Sequence, residues 1–122
     1  MNHIPKDNNT SVSFFKNKVQ KFVRDRNWTK FHTPKNLIQA LSIEVSELSE
    51  IFLFKDISLE TINSDKELIE NISDEISDVF IYLISLVNSM NLDLTSAFIK
   101  KMEKNKDKYS VEEFNNGSYK KR

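Results

Sequence analysis

Apolar residues recur along this chain at spacings of three and four, the period of amphipathic helices. Val12, Phe15, Val19, Phe22 and Val23 form one stripe, which predicts a helix capped by Ser11 or Ser13 and running to about Arg26. A loop with Trp28, Phe31 and His32 follows, and Thr33-Pro34 supplies an N-cap residue with proline at the first helical position. The second helix is expected from Pro34 to about Phe52, with Leu37, Leu41, Val45, Leu48, Ile51 and Phe52 sharing one direction. Residues 53–63 read as a connector with one short turn at Ser58, after which Ser64-Asp65-Lys66-Glu67 has the form of a capping box. A long third helix should end near Met90. Its apolar set, from Ile69 and Ile72 through Ile76, Val79, Phe80, Leu83, Ile84 and Val87, covers an arc broad enough for more than one neighbour. Asp93 can cap a fourth helix through about Tyr109, and Asn116-Gly117 signals a turn in the terminal stretch.

The chain has 122 residues, one Gly and two Pro, which fits a single all-α domain. The expected organisation is a flexible N-terminal arm over 1–10, a helical domain over 11–109 and a basic C-terminal tail over 110–122. Four helices of this length bury little core, so completion of the bundle by oligomerisation, as a dimer or tetramer, is expected. Lys plus Arg number 18, as do Asp plus Glu, so no net field draws the protein to nucleic acid or an anionic membrane. Cysteine is absent, which removes disulfides and thiolate chemistry. No signal peptide or membrane-length apolar run is visible, and a cytoplasmic protein is expected.

Two acidic pairs, Glu44-x-x-Glu47 and Glu75-x-x-Asp78, fall inside these apolar helical stretches. Residues three apart share a helix face about 5–6 Å apart. Each pair can therefore offer oxygens to one region, and antiparallel packing would bring the pairs together. Glu44 projects into its helix's apolar arc and Glu47 lies on the shoulder, whereas Glu75 stands at the edge of its arc and Asp78 further round, near Tyr82. Acids in such positions cost free energy unless they are paired or bound to a cation. A solvated acidic stripe is the alternative reading. An all-oxygen cage without Cys or His suits Mg²⁺, or Mn²⁺, whose usual partner is phosphate. A di-iron bundle would need Glu-x-x-His on two helices, and neither motif has the histidine.

On the fourth helix, Lys101, Asn105 and Lys108 share a face with Leu94, Ala97 and Phe98, which points to an anion, although lysine stems also lie along apolar surface without one. Trp28, Phe31 and His32, with Asn36 on the next helical turn, can stack a nucleobase or plug the end of a bundle. Phe52 and Phe54 admit the same two readings.

With these residues in place, the chain resembles the all-α nucleoside triphosphate pyrophosphatases, in their single-domain MazG-like and dCTP pyrophosphatase branch. The likeness covers roughly residues 11–109. Glu-x-x-Glu followed by Glu-x-x-Asp is the family's hallmark, and RNWTKFHTPKNLIQALSIEVSELSEIF, DEISDVFIYLISL and KMEKNKDKY resemble its helices. The resemblance implies a four-helix MazG-like fold and a tetramer. It also implies Mg²⁺ on Glu44, Glu47, Glu75 and Asp78, a base near Trp28 and His32 with Tyr82 lining the pocket, and phosphates met by Lys101 and Asn105. Where dCTP-type members carry Phe-x-Trp-Lys, this chain has Phe52-Leu53-Phe54-Lys55, so Phe54 and Lys55 stand at substrate positions without fixing the base. The activity implied is cleavage of the α,β-phosphoanhydride of dCTP-like or modified deoxynucleoside triphosphates. Glu47 is the first choice to accept the attacking water's proton. Alternatives are a relative acting on dUTP or phosphoribosyl-ATP, and a non-enzymatic metal-binding oligomer.

Overall fold

Local capping sets where each helix begins. In the computed structural model, which describes residues 3–120, the elements are α1 (Val12–Asp25), a 3-10 turn (Thr29–Phe31), α2 (Pro34–Glu50), α3 (Leu59–Ser64), α4 (Lys66–Ser89), α5 (Leu94–Lys108) and α6 (Val111–Phe114). There is no strand among the described residues. Ser11 caps α1 by accepting from the Phe14 amide, and Thr33 caps α2 by accepting from the Asn36 amide with Pro34 at the first helical position. Asp93 caps α5 through the Ser96 amide.

Two expectations need correction. The cap of α4 is Asp65, whose Oδ1 accepts from the Leu68 amide at 3.0 Å, not Ser64. Ser64 belongs instead to α3 and donates to the Thr61 carbonyl, so the box loses its first member to a helix too short to show as a periodic pattern. The second correction is that α2 stops at Glu50, and the chain leaves it through Phe54 at φ 58°. The outermost residues of the expected arm and tail, 1–2 and 121–122, lie outside the described residues.

The chain separates into two compact units, one ending at Asn91 and the other starting at Leu92. In the first, α4 packs chiefly on α2 and next on α1. Val23, Leu37, Ile72, Ile84 and Val87 form the buried core, with Leu37 2% and Ile84 0% exposed. Phe15 meets Phe80 edge-on at 5.1 Å, and Asn88 Nδ2 donates to the Lys16 carbonyl at 3.0 Å, tying α1 to α4 at two levels. Several residues of the predicted apolar arcs remain exposed, among them Val45, Ile69, Ile76 and Phe80.

The second unit is α5 and α6. Within it the rings of Tyr109 and Phe114 meet at a tilt, 5.6 Å between centroids, and the chain turns at Gly117, whose φ of 82° suits a residue without a side chain. No single helix among the described residues is long and apolar enough to cross a membrane.

Candidate active site

The packing of α2 on α4 decides which acids meet. Glu44 comes from the middle of α2, and Glu75 and Asp78 come from successive turns of α4. One carboxylate oxygen from each lies within 4.8 Å of the others. Glu47, one turn beyond Glu44, stands beside both Glu44 and Glu75 but outside that set of three. Glu44 and Glu75 are half-buried and Asp78 is exposed. Glu44 Oε2 and Glu75 Oε2 are buried with no hydrogen-bond partner among the described residues.

Buried acceptors of this kind are uncommon because each has given up water without replacement. The electrostatics follow. Loss of water, then the Glu47 carboxyl, then the charges of Asp78 and Glu75 push the Glu44 carboxyl up to about 7. Glu75 is also raised, first by burial and then by Glu47, Asp78 and Asp74. No Lys or Arg forms an ion pair with these acids among the described residues. A hard divalent cation fits such a donor set: it would satisfy both orphaned oxygens and remove the mutual repulsion.

A cleft of about 420 Å³ opens from Glu44 and Asp78 and runs over Tyr82 to Trp28 and His32. Its far wall is α1, through Phe15, Lys18 and Phe22. Trp28 is set by an edge contact with Phe22 at 5.9 Å, and the Arg26 guanidinium covers the Phe22 ring at 3.6 Å. Burial holds the His32 imidazole below its ordinary range, favouring the neutral ring.

The other expected residues stand elsewhere. Asn36 does not line the cleft; its Nδ2 donates to the Phe31 carbonyl at 2.9 Å and so braces the aromatic loop. Phe54 is 100% exposed and Lys55 is also exposed, and neither lines the cleft. Lys101, Asn105 and Lys108 lie on α5 in the second unit. There Asn105 is half-buried, Lys101 is exposed, and Lys108 Nζ sits 5.5 Å from the Tyr109 ring.

Sequence reading missed Lys18 and Ser85, and it took Phe15, Phe22 and Phe80 for core. An aromatic stripe at helical spacing looks the same whether it faces a neighbour or a cleft. Ser85 was hidden by the apolar residues around it.

The family model of the MazG-like family matches residues 39–121. The chain is similar to mouse dCTP pyrophosphatase 1, with 39% identity over 92 residues, covering 74% of this chain and 54% of that protein. Human dCTP pyrophosphatase 1 is 38% identical over 90 residues, covering 72% of this chain and 52% of its own length. The chain thus spans about half the length of these curated relatives. Among solved structures, a pyrophosphatase from Archaeoglobus fulgidus DSM 4304 superposes with a TM-score of 0.73 at 34% identity, covering 90% of this chain and 98% of that one.

Proposed function

The chain belongs to the MazG-like family, and on that premise we propose that it is a Mg²⁺-dependent nucleoside triphosphate pyrophosphohydrolase. The reaction is hydrolysis at the α-phosphorus of a dCTP-like or modified deoxynucleoside triphosphate, releasing the monophosphate and pyrophosphate. The observation that carries this reading is the pair of orphaned buried oxygens, Glu44 Oε2 and Glu75 Oε2, beside a cleft with aromatic walls. Such a pair calls for a cation, and the aromatic side chains lining the cleft beside it can stack on a base.

Glu44, Glu75 and Asp78 would hold the cation, with Glu47 at its margin. Mn²⁺ would serve in place of Mg²⁺. When bound, the ion supplies charge neutralisation for the phosphates and acidifies water. Glu47 is the more exposed member of the α2 pair and stands beside the other acids, which supports its role as the group that would take a proton from the attacking water. Trp28 and His32 would stack and orient the base, and Tyr82 would lie against the sugar. Lys101, Asn105 and Lys108 of α5 are assigned to the phosphates. Phe54 and Lys55, exposed here, are assigned to the substrate across an oligomer contact. The enzyme would work in the cytoplasm as a dimer or tetramer, without nucleic acid or membrane.

The test is release of pyrophosphate from a panel of deoxynucleoside triphosphates, with dUTP and phosphoribosyl-ATP included, in Mg²⁺ and in EDTA. Pyrophosphate from one deoxynucleotide group, in Mg²⁺ only, is the expected result. Orthophosphate and a diphosphate as products would overturn the assigned bond. No turnover and no nucleotide-dependent rise in melting temperature would favour a non-enzymatic metal-binding oligomer.

A further inference from the structure

A second cavity, of about 300 Å³, adjoins the first, and Val19, Val23, His32 and Ser85 line both. Ser85 is the polar residue buried within the apolar stretch of α4 from Ile84 to Val87, and only 5% of it is exposed. Serines in helices usually return their hydroxyl to a carbonyl of the preceding turn. Ser46, Ser73 and Ser77 do so here at 3.0, 2.7 and 2.8 Å, and Ser89 donates to the Leu86 carbonyl at 2.7 Å. Ser85 makes no hydrogen bond to any described residue, and its side chain faces the cavities instead.

Its place along α4 says what it faces. Asp78, Tyr82 and Ser85 follow one another at four and three residues, so they share a face. At a rise of about 1.5 Å per residue, Ser85 stands roughly 10 Å along the axis from Asp78. A nucleotide with its α-phosphate at the acids and its ring beside Trp28 and His32 presents the edge of its base remote from the sugar at that level. Beyond Ser85 the second cavity is lined by Gln20 and Asn88. Asn88 is fixed by its bond to the Lys16 carbonyl, which holds this end of the site in place.

We propose that Ser85 is a specificity-determining residue whose hydroxyl hydrogen-bonds the exocyclic group on the base edge remote from the sugar, with the second cavity giving that group room. The inference rests on the pyrophosphohydrolase reading. A hydroxyl both donates and accepts, so Ser85 serves an amino or an oxo group and rejects a base that offers neither.

The test compares the unsubstituted protein, Ser85→Ala and Ser85→Thr on two substrates. One is whichever standard deoxynucleoside triphosphate is turned over fastest. The other is its analogue with hydrogen in place of the exocyclic group, at C4 of a pyrimidine or C6 of a purine. The ratio of their kcat/KM values should fall about tenfold in Ser85→Ala and be retained in Ser85→Thr. Because the hydroxyl lacks a protein partner, Ser85→Ala should melt no lower than the unsubstituted protein. An equal ratio in all three proteins, or a clear drop in melting temperature for Ser85→Ala, overturns the proposal while pyrophosphate release leaves the parent reading standing. Absence of pyrophosphate release by the unsubstituted protein overturns the parent reading, and this inference with it.

Discussion

Glu44 carries the largest electrostatic consequence of any single residue. Its carboxyl, ordinarily at 4.5, is pushed up to about 7 by burial and the neighbouring acids, so the folded state holds the proton more tightly than the unfolded chain. Its stabilising contribution is complete below about pH 4.5 and is lost as pH rises toward 7. The melting temperature of protein in EDTA should therefore fall between about pH 5 and 8, Glu44→Gln should flatten that slope, and Mg²⁺ should restore most stability at the alkaline end. A flat profile in EDTA contradicts the crowding of the acids. Glu47 has a different expected signature, because a proton acceptor is needed for turnover and not for binding. Glu47→Gln should lower kcat about a hundredfold or more while a Mg²⁺–nucleotide complex still raises the melting temperature. The pairs Glu44-x-x-Glu47 and Glu75-x-x-Asp78 were legible because i and i+3 share a face whatever the tertiary packing. The grouping of Glu44 rather than Glu47 with the α4 acids depends instead on how α2 packs on α4. Ser85 was not legible, since one hydroxyl among Ile84, Leu86 and Val87 leaves the periodicity intact.

Helix starts follow from single capping side chains. Asp65 caps α4, the helix that carries Glu75, Asp78, Tyr82 and Ser85. Asp65→Ala should cost about 1 kcal/mol in chemical denaturation, and Ser64→Ala distinctly less. Equal losses would return the cap to the expected Ser64. Helices α1, α2 and α5 were readable from Ser11, Thr33-Pro34 and Asp93, since a cap followed by an apolar period is a local signal. The six-residue α3 was foreseen only as a turn at Ser58, because one turn and a half carries no period to detect. The apolar stripe of α1 reads as core, yet the same stripe, through Phe15, Val19, Phe22 and Val23, walls the cleft. Its attachment by the Phe15–Phe80 contact and the Asn88–Lys16 bond is visible only once α1 and α4 are side by side.

For the whole molecule, the small buried set and the large exposed one point to association. Ile38 and Ile43 on α2 and Ile76 and Phe80 on α4 are all more than a third exposed, a density of apolar surface that favours a partner copy. Sedimentation should report a dimer or tetramer, and Ile43→Glu with Ile76→Glu should shift it to smaller species; a monomer at micromolar concentration contradicts the proposed assembly. Sequence periodicity gave the breadth of the α4 arc but not which part of it faces its own chain. The places of Lys101, Asn105 and Lys108 were legible only as a helix face, because they belong to a separate unit from the acids. If acids from two helices hold one divalent cation for a nucleotide's phosphates, Mn²⁺ titration followed by electron paramagnetic resonance will register it. Saturable binding by the unsubstituted protein, lost together with pyrophosphate release in Glu44→Gln and Glu75→Gln, is the result expected. Mn²⁺ binding that both variants retain unchanged would contradict it.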